Sequence, residues 1–158
     1  MTDDPADWSR PRVAAGVVFF DPDGRILIVK PTYKDSWDVP GGYVNAGETP
    51  HHAAVREVKE ELGIDVELRS TLVVDWAPHP AEGDKVLFLF DGGTLGADVR
   101  AQIRLAADEL SEFKFVDRAT VGGVLIERLA RRVTAAADAH ARGTTQYLER
   151  GRECPASD

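Results

Sequence analysis

Residues 42–64, GYVNAGETPHHAAVREVKEELGI, constrain this chain more than any other segment. Thr49 is a good N-cap, Pro50 suits the first helical position, and Gly63 suits a left-handed stop, so a single helix is predicted between them. At about 100° per residue, Glu57, Glu60 and Glu61 fall within roughly 100° of one another on that helix. Val55, Val58 and Leu62 form a separate stripe roughly 130° round. One side therefore anchors to a core, and the other carries a cluster of carboxylates. Carboxylates at i, i+3 and i+4 repel each other and weaken a helix that carries them bare. Taken alone, the run EVKEE reads as a solvated acidic face, because Glu is a good helix former. Glu48 and the flanking glycines at fixed spacing favour a different reading, in which a divalent cation removes the repulsion. All-oxygen donors point to Mg²⁺ or Mn²⁺ rather than zinc. Arg56, four residues before Glu60, is placed to hold a carboxylate through a bidentate contact.

The rest of the chain narrows the possibilities. A length of 158 residues fits one domain with a sizeable core, and the hydrophobic fraction of 43% is that of an ordinary globular protein. A net charge of −8 argues against affinity built on neutralising a nucleic-acid polymer or an anionic membrane. An acidic protein still binds a phosphate ester if metal ions and a few local cations reverse the field. The single cysteine, Cys154, reads as an unremarkable thiol in a polar tail. The N-terminus lacks the apolar run of a signal peptide, and no stretch has the length of a transmembrane helix, so the expected location is cytoplasmic.

Along the chain, residues 1–11 read as a polar arm, residues 12–141 as the domain, and residues 142–158 as a polar tail. VAAGVVFF (13–20) and RILIVK (25–30) flank the turn signal Asp21-Pro22-Asp23-Gly24 and predict a hairpin. PTYKDSWDVPGG (31–42) reads as a loop. Residues 65–76 alternate enough for a strand, residues 77–84 form a loop, and KVLFLF (85–90) is apolar enough for a central strand. Residues 91–97 read as a glycine-rich connection, and residues 98–105 as a strand or an irregular segment. LSEFKFV (110–116) alternates as a half-buried strand does. Residues 124–141 predict an amphipathic helix with Leu125, Leu129 and Val133 on one stripe.

The segment 42–64 resembles the Nudix box of the Nudix hydrolase family, G-x5-E-x7-R-E-U-x-E-E-x-G-U with U aliphatic. Every specified position matches, Val58 and Ile64 being the aliphatic members. WDVPGG before the box and ADELSEFKFV after it also resemble family features. The resemblance implies an α/β fold: an α/β/α sandwich with a mixed, partly open sheet and two main helices. It implies hydrolysis of a pyrophosphate bond in a nucleoside diphosphate linked to another moiety. By position, Glu57, Glu60 and Glu61 would ligate Mg²⁺ or Mn²⁺. Arg56 and Glu48, with Gly42 and Gly63, would support the geometry around them. Glu60 and Glu109 are the candidate general bases, Glu109 being favoured and Asp108 adjacent to it. Many relatives are homodimers.

Lys30, Tyr33 and Lys34 precede the box and are candidates for substrate contact, as is His79 in the loop APHPAEGD. Solvated lysines around a structural tyrosine are the plainer reading. Trp37 is expected to pack the loop, and Phe88 and Phe90 to fill the core. His51 and His52 read as surface residues. The partner expected is a small nucleoside diphosphate derivative, ADP-ribose or a nucleotide sugar, and Pro78 and Pro80 resemble a proline feature of ADP-ribose hydrolases. The alternatives are a nucleoside triphosphate pyrophosphohydrolase and, from another class, a non-catalytic nucleotide-sensing module. Intact box glutamates weigh against the last.

Overall fold

The computed structural model describes residues 3–154, so residues 1–2 of the expected arm and 155–158 of the expected tail lie outside the described residues. Strand β1 (Arg12–Phe20) is followed by β2 (Ile26–Pro31) and by the short β3 (Gly41–Tyr43). Helix α1 spans Pro50–Leu62, and strands β4 and β5 span Thr71–Trp76 and Lys85–Thr94. Helix α2 (Ala97–Gln102) leads to β6 (Leu110–Val116), then to α3 (Val121–Val124) and α4 (Glu127–Arg142). Strands β7 (Gln146–Glu149) and β8 (Arg152–Glu153) follow. The sheet order is β6-β2-β1-β5-β4-β7-β8, with β3 pairing β1 outside that path.

The run VVFF in β1 explains the sandwich. Val17 and Phe19 point into a core with Val58 and Leu62 of α1, whereas Val18 and Phe20 point into a core with Leu129 and Val133 of α4. A strand with both faces buried has no polar side to show, hence its unbroken apolar sequence. Parallel pairing of β1 with β5 and antiparallel pairing with β2 and β3 make the sheet mixed. Among the described residues no helix is long and apolar enough to cross a membrane.

Five sequence expectations need correction. Residues 41–43 are not loop but strand, because Gly41 and Gly42 let their backbone lie against Gly16 and Ala15 of β1. The strand expected over residues 65–76 starts only at Thr71. Strand β5 runs four residues past KVLFLF, through a segment read as a connection. Residues 97–102, from the end of the expected connection into the segment read as strand or irregular, form helix α2. The C-terminal helix begins at Glu127 rather than Val124, since Leu125 is extended and bridges to Trp37.

Part of the expected polar tail is also corrected. Strand β7 pairs in parallel with β4, and Leu148, the apolar member of that segment, is 1% exposed. A short polar strand is held by one buried side chain and a ladder of backbone bonds, neither of which shows in local composition.

Candidate functional site

Helix α1 starts and stops where its sequence dictates. The Thr49 side chain accepts a hydrogen bond from the His52 amide at 3.1 Å, and Gly63 takes φ 72° at the C-terminus. These caps fix which way each glutamate faces. Val58 and Leu62 are fully buried, as the apolar stripe requires, while Val55 is only partly covered.

Arg56 is the hub of the surrounding loop. Its Nε and Nη2 donate to the two Glu48 oxygens at 2.7 and 2.9 Å, a fork that fits a carboxylate bidentately. Nη1 reaches Glu57 at 3.0 Å and Glu60 at 3.3 Å, and Nη2 also donates to the Tyr43 carbonyl at 3.2 Å. Glu48 in turn accepts from the Asn45 amide at 2.9 Å. Arg56, with help from that amide, holds the Glu48 carboxyl down to about 2. The loop of residues 43–48 is thus tied to the first half of the helix.

The three box glutamates part company at this point. Glu61 is 6% exposed, and its Oε1 accepts a hydrogen bond from the Gly41 amide at 3.1 Å. Glu57 lies over Gly42: a Cβ on that glycine would stand 2.5 Å from Glu57 Oε1, so a side chain there would displace the carboxylate. Gly41 has φ 153°, and a Cβ on it would meet the Ala15 carbonyl at 2.4 Å. Glu60, by contrast, is 48% exposed and stands at the rim against Arg56.

Glu57 and Glu61 line a cavity of about 310 Å³ together with Tyr33, Asp38, Gly41, Gly42 and Glu109. Glu109 arrives from outside the box, on the turn before β6, where its amide bonds the Ala106 carbonyl and its own carbonyl accepts from the Thr32 amide. Burial raises the Glu61 carboxyl to about 8, and the neighbouring Glu57 and Glu109 charges add to the rise although the Gly41 amide opposes it. Burial raises Glu109 as well, aided by Asp108, Glu57 and Glu60. Like charges crowded into a partly dry cleft favour protonation, or a cation in the proton's place.

That is the fit test for a divalent ion. The donors are all carboxylate oxygens, the type that Mg²⁺ and Mn²⁺ take, and the glycines leave room beside Glu57. Among the described residues no three acidic, His or Cys side chains close round an ion by themselves. Mg²⁺ is suited to such an open, one-sided set, since it keeps several waters and takes substrate phosphates as further ligands.

The other expected contacts fare unevenly. Tyr33 lines the cavity and is 77% exposed, so it is free to meet a ligand. Lys30 and Lys34 do not point charge into it. Lys30 Nζ donates to the Lys34 carbonyl at 2.6 Å, and Lys34 Nζ pairs with Asp38 at 2.6 Å. These lysines organise their own loop. His79 is not part of the acidic cavity: its Nδ1 accepts from the Ala81 amide at 3.1 Å inside its own turn. Trp37 packs against the core beneath the Lys114 ammonium, 4.3 Å from its ring centre, and Phe90 is buried. Sequence reading passed over Asp38; its place next to the PGG turn was the signal available.

The chain matches the NUDIX domain family over residues 10–137. It is 32% identical over 114 residues to the ADP-ribose pyrophosphatase of Methanocaldococcus jannaschii, covering 70% of this chain and 64% of that protein. To the RNA pyrophosphohydrolase of Hydrogenovibrio crunogenus it is 40% identical over 60 residues, covering 38% of this chain and 35% of that protein. It therefore spans less than two thirds of the length of either relative. Its fold superposes on a crystal structure of a MutT protein from Methanosarcina mazei with a TM-score of 0.69 at 23% identity, over 86% of this chain and 99% of that one. With the family match running through most of its length, around a loop and helix locked by Arg56, this chain belongs to the Nudix family.

Proposed function

We propose that this protein is a metal-dependent pyrophosphohydrolase of the cytoplasm. Its substrate in this reading is a nucleoside diphosphate linked to another moiety, ADP-ribose or a nucleotide sugar. The observation that carries the reading is the convergence of Glu57, Glu61 and Glu109 on one cavity between the box and β6. Nudix proteins generally use a divalent metal, and Mg²⁺ or Mn²⁺ would be held by Glu57 and Glu61, with Glu60 at the rim. When bound, the ion neutralises charge on the diphosphate oxygens and makes a water easier to ionise.

The chain's own residues supply the remaining work. Glu109 takes the proton of the attacking water: burial, with the Asp108, Glu57 and Glu60 charges, raises its affinity for a proton, as suits a general base. Arg56 and Glu48 act through the box, fixing the backbone that carries Gly42 and the turn that presents Glu57. Gly41 holds Glu61 in place through its amide. Tyr33 is free to lie against the nucleoside or the group beyond the diphosphate.

The test is turnover. The protein is incubated with Mg²⁺ and a panel of ADP-ribose, nucleotide sugars, dNTPs, dinucleotides and a 5′-triphosphorylated RNA, and products are separated by chromatography. A nucleoside monophosphate plus a phosphorylated remainder is expected from ADP-ribose or a nucleotide sugar, with loss of activity in Glu61→Gln and on chelation. No turnover of any member, or an equally active Glu61→Gln, overturns the catalytic reading. Turnover of dNTPs alone moves the assignment to the triphosphate class. Binding without product moves it to a sensing module.

A further inference from the structure

Beside α4 lies a second cavity, of about 360 Å³, with the reverse charge. Its lining includes His79, Lys85, Arg128, Arg131, Arg132 and Arg150. These come from three separate places: the start of β5 with the loop before it, the first two turns of α4, and the β7–β8 turn. In a chain of net charge −8, so many cations round one hollow need an explanation.

Three acids reach this group, and each is committed. Asp75 takes Arg132 Nε and the Gly151 amide. Glu82 takes Lys85 and the Tyr43 hydroxyl, and Glu127 pairs with Arg131 at 2.9 Å. Arg128 and Arg150 meet no carboxylate among the described residues, so the cavity keeps an excess of positive charge. Arg132 is the more telling residue. Its Nε is given to Asp75, and its terminal nitrogens, which have no acceptor among the described residues, remain accessible. Arg131 supplies the buried donor: its Nε has no hydrogen-bond partner among the described residues. Buried donors of a charged group are rarely left unpaired unless a ligand completes them.

Arg150 points the same way. It has φ 52°, the only non-glycine residue in the left-handed region among those described, and is followed by Gly151 at φ 74°. A two-residue hairpin of this kind favours Asn or Gly at its first position. An arginine there is strained, which makes sense if its side chain is needed where the turn places it.

We propose that this cavity is a second binding site, for a phosphate group, distinct from the acidic cluster. Donors converging from three directions suit a tetrahedral anion with several acceptor oxygens better than a planar carboxylate, and guanidinium forks match phosphate. The volume is that of a small-ligand site and holds a phosphate with part of the ester that bears it. Such a phosphate is either the far end of a nucleotide substrate or free inorganic phosphate.

The probe is inorganic phosphate, titrated into the full chain by calorimetry in buffer without divalent metal. Saturable binding is expected. The double variant Arg128→Ala with Arg150→Gly should bind about tenfold more weakly or not at all, as loss of charge-assisted contacts implies. Glycine at 150 relieves the turn, so the variant should melt no lower than the parent in phosphate-free buffer. Absence of saturable binding to the parent, or equal affinity in the double variant, overturns the proposal. So does binding that requires Mg²⁺, which would place the anion at the acidic cluster. A second arm rests on the hydrolase reading and compares substrates with and without a phosphate remote from the cleaved bond. A KM raised only for the phosphorylated substrate assigns the site to the substrate. Both KM values unchanged, with phosphate binding lost, assign it to free phosphate. The calorimetric arm stands whether or not the protein hydrolyses anything.

Discussion

Beside α1, Glu57, Glu61 and Glu109 share one cavity, and among the described residues no cation is close enough to neutralise more than Glu57. Beside α4, Arg132 meets Asp75 and His140 meets Asp91, each acid almost wholly buried and each matched to a base. The same sheet thus carries two electrostatic regimes. Each of these buried acids on the α4 side has a basic side chain beside it, whereas on the α1 side the acids are in excess. A structural ion pair stabilises by being complete. A reactive cluster is kept incomplete, so that something from outside completes it.

The comparison breaks most directly at Glu109. Glu109→Gln should lower kcat about 10²–10⁴-fold, the usual worth of a general base, while the melting temperature holds or rises because a repulsion has gone. A drop in melting temperature together with unchanged kcat would place Glu109 in the structural class. The converse experiment uses Asp75→Leu. Leaving Arg132 buried without its carboxylate should cost about 3–5 kcal/mol in urea unfolding, and adding Arg132→Met should recover much of it. If the single variant unfolds like the parent, the two sides do not differ as described.

Gly42→Ala sharpens the boundary between the regimes. The added Cβ meets the end of a flexible side chain, so the fold accommodates it, but the Glu57 carboxylate must move. A shift of about 1 Å in a positioned group can cost about 10²-fold in rate, and that is the expected loss in Mg²⁺-dependent turnover, with little change in melting temperature. The smallest effect is one of pH. The Glu61 carboxyl is raised by burial to about 8, so its contribution to metal-free stability is fully present below its unfolded pKa and lost as pH rises through about 8. Mg²⁺ would compete with that proton. The gain in melting temperature on adding Mg²⁺ should therefore grow from pH 5 to pH 8; a gain independent of pH would mean that the ion binds elsewhere.

How far the sequence foretold all this depends on whether a feature is local. Thr49, Pro50 and Gly63 bounded α1 correctly because a helix end is written within one turn of itself. The hairpin at Asp21 and the strand over residues 110–116 were legible for the same reason. Strands β3 and β7 were not, since GGY and QYLE become strands only when β1 and β4 supply their ladders. The site divides likewise. Spacing put the acids of α1 on one side and gave Arg56 a carboxylate to hold, but did not single out Glu48 as that carboxylate or separate buried Glu61 from exposed Glu60, which depends on what lies above the helix. Lys30 and Lys34 looked available for a phosphate because their acceptors, a carbonyl and Asp38, come together only when the loop folds. The basic cavity was illegible altogether, its residues coming from three separate places in the chain.

The amide that Gly151 gives to Asp75 comes from 76 residues further along the chain. At a synthesis rate of about 5–20 residues per second, Asp75 leaves the ribosome on the order of ten seconds before its donor. Through that interval the outer edge of β4 has no neighbour, and the carboxylate destined for the interior is still in water. Closure of this side of the sheet is therefore a late event in the life of each new molecule, after the acid-bearing helix has been made.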